Sequence, residues 1–128
     1  MSQAQDPVVI VGMARTPIGA FQGDFSALSA SDLGKIAVEA AVSRAGLKPA
    51  DIEEVLMGCV LQAGQGQAPA RQAARKAGLP DSVPATTINK MCGSGMKAAM
   101  LAHDNLIAGA ASIMVAGGME SMTNAPYL

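Results

Sequence analysis

The chain has 128 residues, enough for one domain that buries roughly two-thirds of the surface its unfolded form exposes. Hydrophobic residues make up 50% of the sequence and charged residues 15%, which excludes a disordered chain. The net charge is -1 with no basic block, and no apolar run approaches the roughly 20 residues that span a bilayer, so we predict neither a nucleic-acid nor a membrane partner.

Strand and helix patterns alternate along the chain. The apolar, β-branched run Val8–Val11 predicts a strand buried on both faces, and residues 14–29 read as a long loop. A helix then begins at Ser29 or Ser31, as in a capping box, and ends at Gly46. Its predicted apolar stripe consists of Leu33, Ile36, Ala37, Ala40 and Ala41.

The second half of the chain continues the alternation. Val55–Leu61 predicts a second strand, and Pro69–Lys76 predicts a short helix because proline favours the first turn. Strands are also predicted over Ala85–Ile88 and Ile113–Ala116. The order implies an α/β fold with a mostly parallel sheet, right-handed crossovers and flanking helices.

Ligands of such sheets gather at the carboxyl ends of the strands. Four segments leave from those ends: Cys92, the loop from Arg15, Gly64–Gly66 and Glu120–Ser121. We therefore predict that these four segments cluster.

Both cysteines are predicted to be free thiols. Cys59 and Cys92 have no metal-ligand spacing and no C-x-x-C arrangement, so no metal site is predicted. Cys59 lies in an apolar run and is expected to be a small buried core residue. Residues 1–7 are polar and acidic without a secretory signal pattern, which points to a cytoplasmic location.

Cys92 lies where the strand Ala85–Ile88 gives way to a helix. The helical pattern runs from Met96 to Ala108, with Gly109 as a left-handed stop. The positive end of the helix dipole favours an anion, and the thiolate is the nucleophilic form of cysteine. The apolar residues Met96, Ala99, Met100, Leu106 and Ile107 recur at the helical period.

The turn around Cys92 also offers donors for a developing oxyanion. Gly93, Ser94 and Gly95 leave the approach free of bulk, and backbone N–H groups near Cys92 can donate to a carbonyl oxygen. Glycine-rich turns of this kind also bind phosphates, however, and many cysteines are inert core residues. From the residues alone, both interpretations of Cys92 stay open.

Four segments of the chain match the motifs of one enzyme family, in the family's order. They are Ala14–Gly19, Ala68–Ala74, Asn89–Ala98 and Gly117–Met122, with Ala68 at a position where asparagine is common. Together they resemble the thiolases, the acetyl-CoA acetyltransferases. The resemblance implies a thiolase-like layered fold, with residues 1–128 as an incomplete N-terminal domain.

The resemblance also implies a reaction. Cys92 would be the catalytic nucleophile that accepts an acyl group from acyl-CoA, with its backbone N–H as an oxyanion donor. Two acetyl-CoA molecules would then give acetoacetyl-CoA and coenzyme A, or the reverse thiolysis would run. Coenzyme A would be substrate and product, with no permanently bound cofactor, and the enzyme would be a homodimer or homotetramer.

This chain departs from the family in length. Family members are roughly three times as long, beyond the size of one ordinary domain. The histidine that activates the nucleophile, the second cysteine and most of the coenzyme A pocket would lie in the other part. The one histidine here, His103, sits inside the helix after Cys92 and is interpreted as structural or surface-exposed. These 128 residues alone are expected to be inactive.

Three alternative functions remain open. A condensing enzyme acting on carrier-protein thioesters would share the fold and a cysteine nucleophile. A nucleotide-binding module is a second alternative, although no G-x-G-x-x-G pattern follows Gly12. The third is a non-catalytic structural half that supports dimerisation.

Several other residues have structural interpretations at this point. Arg71 is expected to make an interface or loop hydrogen bond, and Glu120 to be structural. Lys90 and Lys97 can attract coenzyme A phosphates, but solvated lysines are commoner. The methionines are interpreted as adaptable core or interface residues rather than an acyl-binding surface.

Overall fold

The sheet has three parallel strands in the order β2-β1-β3. The structure is a computed structural model that describes residues 7–127. The strands are β1 (Glu54–Gly58), β2 (Ala85–Ile88) and β3 (Met114–Gly118). The helices are α1 (Ala30–Arg44), α2 (Pro69–Lys76) and α3 (Ser94–Ile107), with a 3-10 turn at Pro49–Asp51. The predicted α/β fold with a parallel sheet and flanking helices is confirmed.

The domain has three layers, with β1 at the centre of the sheet. Val55 and Met57 belong to a buried cluster that includes residues of α1 and α2. Leu56, which points to the opposite face, packs with Ala98 and Ala102 of α3. Both faces of β1 are therefore covered, as the apolar sequence of this strand requires.

Helix ends follow the local sequence signals. Ser29 caps α1 in a capping box, with its backbone N–H donating to Asp32 and its side chain accepting from the Asp32 N–H. Gly46, Gly78 and Gly109 follow the three helices with φ values of 71°, 82° and 73°. Only glycine adopts this left-handed conformation without a steric cost, so these stops were predictable.

The prediction of a strand over Val8–Val11 is wrong. The segment joins no ladder among the described residues, and its side chains are largely exposed, with Ile10 at 87%. It instead passes the end of α1, where a Cβ on Gly12 would lie 2.6 Å from the Ala41 carbonyl oxygen. Arg44 Nη1 also donates to the Met13 carbonyl oxygen at 3.1 Å. A β-branched run forms a strand only where another strand is available to pair with it.

The buried faces of α1 and α3 differ from the apolar stripes in the sequence. The buried residues of α1 are Ala30, Ser31, Gly34, Val38 and Val42. Those of α3 are Ser94, Ala98 and Ala102, whereas Met96 of the predicted stripe is 75% exposed. Small residues face inward because the helices lie very close to their neighbours. A Cβ on Gly34, for example, would lie 2.5 Å from the Met119 Sδ.

Strand boundaries also shift, and some predictions fall outside the described residues. The second predicted strand extended to Leu61, but β1 ends at Gly58, where the chain turns away. Residues 1–6, whose composition entered the prediction of location, lie outside the described residues. Within residues 7–127, no helix combines the length and apolar character needed to cross a membrane.

Candidate active site

A cleft of about 800 Å³ opens at the carboxyl ends of the strands. Cys92 lines it together with Arg15, Glu120 and Ser121, so the predicted clustering of these three segments is confirmed. The Gly64–Gly66 loop does not line this cleft. It borders a smaller pocket of about 150 Å³ beside α2, which Ser121 also lines.

The Gly64–Gly66 loop is held toward the start of α2 by side-chain amides. Gln72 Nε2 donates to the Gln65 carbonyl oxygen at 2.7 Å and to the Gln67 carbonyl oxygen at 2.8 Å. Ser31 Oγ in turn donates to Gln72 Oε1 at 3.3 Å. These contacts hold the loop away from the cleft that Cys92 lines, so the prediction that it joins the Cys92 cluster is wrong.

The Cys92 side chain is exposed on a tight turn before α3. Cys92 immediately precedes Gly93, the N-cap residue of the helix. Met91, the residue before it, has a φ of 47°, and its N–H donates to Asn89 Oδ1 at 3.0 Å. A methionine in the left-handed region is strained, so the surrounding hydrogen bonds must hold this conformation.

Ser94 provides two of those hydrogen bonds. Its buried Oγ donates to the Met91 carbonyl oxygen at 2.6 Å and accepts from the Lys90 N–H at 2.9 Å. From the sequence, Ser94 is expected only to leave space around Cys92. The structure shows that its hydroxyl group links the first residue of α3 to Lys90 and Met91, the two residues before Cys92. A serine flanked by two glycines did not reveal this contact, because the partners are backbone groups.

The backbone around Cys92 leaves donors available for an anion. Gly93 N–H and Ser94 N–H donate to the carbonyl oxygens of Lys90 and Met91, at 3.0 and 3.1 Å. The Cys92 N–H, by contrast, has no acceptor among residues 7–127. No side chain caps the start of α3, a helix of 14 residues. The unpaired N–H groups and the helix dipole therefore make this end of α3 attractive to negative charge.

Three glycines bring α3 onto the ends of β1 and β3. A Cβ on Gly58 would lie 2.5 Å from the Ser94 carbonyl carbon, closer than carbon atoms can approach. A Cβ on Gly118 would lie 3.2 Å from the Gly95 Cα. Because these positions lack side chains, the first turn of α3 rests directly on the sheet, and Cys92 lies above the strand ends.

The second thiol is buried beside the cleft. Cys59 is fully buried, as predicted for a core residue. Burial is the main cause that raises the pKa of the Cys59 thiol to about 11, with a smaller contribution from the Glu120 carboxylate and an opposing one from the Gln65 hydrogen bond. Cys59 Sγ lies 3.6 Å from Glu120 Oε1 and accepts from Gln65 Nε2 at 3.4 Å. A protonated, buried thiol is a poor nucleophile.

The remaining candidates have surface or structural positions. His103 is exposed on α3, as predicted. Its Nδ1 lies 3.4 Å from Asp104 Oδ1. Arg71 makes the expected loop hydrogen bonds, to the carbonyl oxygens of Val83 and Asp81. Lys90 and Lys97 do not line the cleft. Among residues 7–127, no group of three or more histidine, cysteine or acidic side chains could hold a metal ion.

Methionines occupy both the core and the surface. Met57 and Met119 are buried in the cluster formed with α1 and α2. Met91 and Met122 are exposed and line the cleft, and Met96 is exposed on α3. The core interpretation is therefore confirmed for Met57 and Met119, and Met114 packs, partly buried, against the cluster of Leu56, Ala98 and Ala102.

Comparison with known proteins gives consistent matches along the chain. The family model "Thiolase, N-terminal domain" matches residues 8–128. Mitochondrial acetyl-CoA acetyltransferase B of Xenopus laevis is 62% identical over 120 residues, which are 94% of this chain and 29% of that protein. Acetyl-CoA acetyltransferase IA of Candida tropicalis is 58% identical over 125 residues, 97% of this chain and 31% of that protein.

A solved structure matches the fold as well. The crystal structure of the Acat5 thiolase from Ascaris suum in complex with coenzyme A has a TM-score of 0.91 and 42% sequence identity to this chain. The match covers 93% of this chain and 31% of that one. The chain thus spans slightly less than a third of the length of these relatives.

The comparisons correct the predicted location. The Xenopus laevis relative and the human acetyl-CoA acetyltransferase, which is 56% identical over 121 residues, are both named as mitochondrial. The prediction of a cytoplasmic location is therefore wrong. It relied on the absence of a secretory pattern, and that pattern distinguishes secreted proteins from others without separating the cytoplasm from organelles.

Proposed function

The chain belongs to the thiolase family, and we propose on that premise that the complete protein is an acetyl-CoA C-acetyltransferase with Cys92 as its nucleophile. It joins two acetyl-CoA molecules into acetoacetyl-CoA and coenzyme A, or runs the reverse thiolysis. Residues 1–128 supply the nucleophile and part of the acyl site. The groups that move protons and most of the coenzyme A site belong to the remainder of the protein, so this portion alone is inactive.

In the proposed first step, the Cys92 thiolate attacks the thioester carbonyl carbon of acetyl-CoA. A carbon–sulfur bond to Cys92 forms as the bond to the coenzyme A sulfur breaks, and coenzyme A leaves as a thiol after taking up a proton. The Cys92 N–H, which has no acceptor among the described residues, donates to the carbonyl oxygen while that oxygen carries negative charge. The dipole of α3 favours the same negative charge.

In the second step, the α-carbon of another acetyl-CoA attacks the acyl group on Cys92. The carbon–sulfur bond to Cys92 breaks as the new carbon–carbon bond forms, which regenerates the thiolate. Removal of the α-proton falls to a group outside residues 1–128. The covalent intermediate divides one difficult exchange into two easier steps.

The observation that carries the proposal is the contrast between the two thiols. Cys92 is exposed in the cleft beside an uncapped helix start, whereas Cys59 is buried and has a pKa raised to about 11. Only the first has the exposure and electrostatic surroundings that a nucleophile requires.

Labelling of the complete protein tests this assignment. The protein is incubated with radiolabelled acetyl-CoA, denatured, digested and mapped. We expect one labelled peptide that contains Cys92, no label in Cys92→Ala, and unchanged label in Cys59→Ala. Label retained by Cys92→Ala would reject the proposal.

Substrate comparison separates the thiolase from a carrier-protein condensing enzyme. We propose that coenzyme A is a substrate and product that leaves with each turnover, not a resident cofactor. The complete protein should therefore acylate Cys92 with free acetyl-CoA and not with acetylated acyl carrier protein. The opposite preference would favour the condensing enzyme.

We further propose that the complete protein is a homodimer or homotetramer. Exposed apolar side chains such as Val9, Met96 and Met100 support this, since large apolar side chains in water favour association or cover by another part of the protein. Sedimentation equilibrium of the complete protein tests it. A monomer at micromolar concentration would contradict the proposal.

A further inference from the structure

We propose that Glu120 is a positioning residue for the Cys92 turn, residues 89–93 between β2 and α3. It holds this turn in its reactive arrangement. Its role rests on the proposed function of Cys92, because positioning is meaningful only for a working nucleophile. Glu120 follows β3, lines the same cleft as Cys92, and binds backbone groups of the chain that leaves β1.

The Glu120 carboxylate continues the contact between β1 and β3 beyond the last strand residues. The ladder ends at Gly58 and Gly118, and the Met119 N–H still donates to the Gly58 carbonyl oxygen at 2.9 Å. Glu120 Oε2 then accepts from the Val60 N–H, and Oε1 accepts from the Leu61 N–H, both at 2.9 Å. Two consecutive N–H groups that have left the sheet are thereby satisfied by one side chain.

Residues 58–61, which Glu120 anchors, contact the chain around Cys92 in two places. Gly58 lies against the first turn of α3, where even a Cβ would collide with Ser94. The Cys59 N–H donates at 2.9 Å to the carbonyl oxygen of Ile88, the last residue of β2. The Cys92 turn begins directly after Ile88, so displacement of residues 58–61 moves both the start of α3 and the strand that leads into the turn.

The geometry requires a carboxylate and not an amide. Both partners of Glu120 are backbone donors, so both side-chain oxygens must be acceptors. A glutamine offers one oxygen and one NH₂ group, which would leave a donor facing the Val60 or Leu61 N–H. Cys59 Sγ, 3.6 Å from Oε1, is a third donor to the same carboxylate.

Glu53 provides a matched control at the opposite end of the same two strands. Its Oε2 accepts from the Ser112 N–H at 3.1 Å, and its N–H donates to the Ile113 carbonyl oxygen at 3.0 Å. Glu53→Gln therefore removes a carboxylate that also bridges the β1 and β3 segments but lies far from the strand ends that carry Cys92. Glu120→Gln and Glu53→Gln are both made in the complete protein, and the urea midpoint of unfolding is measured for each.

The two variants are compared by the rate of Cys92 alkylation with iodoacetamide and by kcat and KM for acetyl-CoA. We expect Glu120→Gln to lower both kcat and the alkylation rate by about 10-fold or more with KM nearly unchanged, since small displacements of reacting groups cost up to about 100-fold. Glu53→Gln should keep wild-type rates. Wild-type rates in Glu120→Gln, or equal losses in both variants, would overturn the proposal.

Two further measurements keep the outcome unambiguous. If Glu120→Gln does not fold, Glu120→Asp replaces it, because aspartate keeps the charge but is too short to reach both N–H groups. Wild-type rates in Glu120→Asp would also overturn the proposal. The alkylation rate reports the Cys92 turn without any turnover. If wild-type Cys92 takes no label from acetyl-CoA, the proposed function fails and the positioning role fails with it. If wild-type Cys92 is labelled but Glu120→Gln keeps wild-type alkylation and turnover, the positioning role alone fails.

Discussion

Gly58 and Ser94 are in direct backbone contact, at the point where the central strand meets the helix that follows Cys92. A Cβ built on Gly58 would lie 2.5 Å from the Ser94 carbonyl carbon and 2.6 Å from the Ser94 Cβ. Ser94 in turn holds the carbonyl oxygen of Met91 and the N–H of Lys90 through its hydroxyl group. The position of the candidate nucleophile therefore depends on the absence of a side chain 34 residues earlier in the chain.

Gly58→Ala is expected to destabilise the complete protein by about 1–3 kcal/mol, the usual cost of overpacking a filled site. The displaced start of α3 should also slow acylation of Cys92. Urea unfolding and acetyl-CoA labelling measure the two effects. Gly93→Ala is the control for stability, because a Cβ there would only reach ordinary contact, 3.5 Å from the Lys90 carbonyl oxygen. Equal stability of the two variants would contradict the close contact at Gly58.

Ala68, the residue before α2, occupies a conformation that alanine tolerates poorly. Its φ is 47° and its side chain makes no capping hydrogen bond. Glycine adopts this region freely and asparagine does so more readily than alanine, so Ala68→Gly and Ala68→Asn should each stabilise the protein by about 1 kcal/mol. A lower urea midpoint for both variants would contradict this prediction.

An alanine in regular helix is the control for that prediction. Ala99 is exposed inside α3, and Ala99→Gly should destabilise the protein by about 1 kcal/mol because glycine loses more backbone freedom on folding. The same substitution thus has opposite effects at the two positions, and the difference isolates the backbone conformation of Ala68.

The ion pair between α1 and α2 should make stability depend on acid pH. Lys76 Nζ donates to Asp32 Oδ1 at 2.6 Å, and this bond, followed by those to Ser29, lowers the Asp32 pKa from 3.8 to about 2. A carboxyl group whose pKa is lower in the folded state binds protons more readily when unfolded. Its stabilisation is therefore present above pH 3.8 and is lost as the pH falls through about 2.

Asp32→Asn tests this dependence. The two side chains are 38% and 40% exposed, so water screens the pair and we expect a loss of about 1 kcal/mol at pH 7 rather than the full value of the pKa shift. The difference in unfolding free energy between wild type and variant should shrink as the pH falls from 4 to 2. Asp24→Asn is the control, because Asp24 is exposed in the loop before α1. A constant difference across this range would contradict the prediction.

Features determined by neighbouring residues in the sequence were predictable. The capping box at Ser29, the start of α2 at Pro69 and the left-handed stop at Gly109 all depend on backbone groups within a few positions. The Cys92 turn between strand and helix was predictable for the same reason. The resemblance of this turn to the thiolase motif then led to the proposed chemistry, which the local pattern left open.

Features determined by distant partners were not predictable. Val8–Val11 has the composition of a strand, yet pairing requires a neighbour that the sequence does not specify. Gly58 and Gly118 let α3 approach the sheet closely, so the side of α3 that faces the sheet carries small residues. The larger apolar residues lie on the outward side, and hydrophobic periodicity therefore predicted the wrong face as buried. Glu120 binds N–H groups 59 and 60 residues away, and no local pattern indicates that contact.

The two thiols should differ sharply in reactivity toward alkylating reagents. Cys59 is buried with a pKa raised to about 11, so at pH 8 only about one molecule in a thousand carries the thiolate there. Iodoacetamide at pH 8 should therefore modify Cys92 completely in the folded protein while Cys59 remains unmodified, as judged by mass spectrometry of tryptic peptides. In urea both thiols should react, which shows that the Cys59 peptide can be detected. Modification of Cys59 in the folded protein at a rate near that of Cys92 would contradict its burial and remove the contrast that supports Cys92 as the proposed nucleophile.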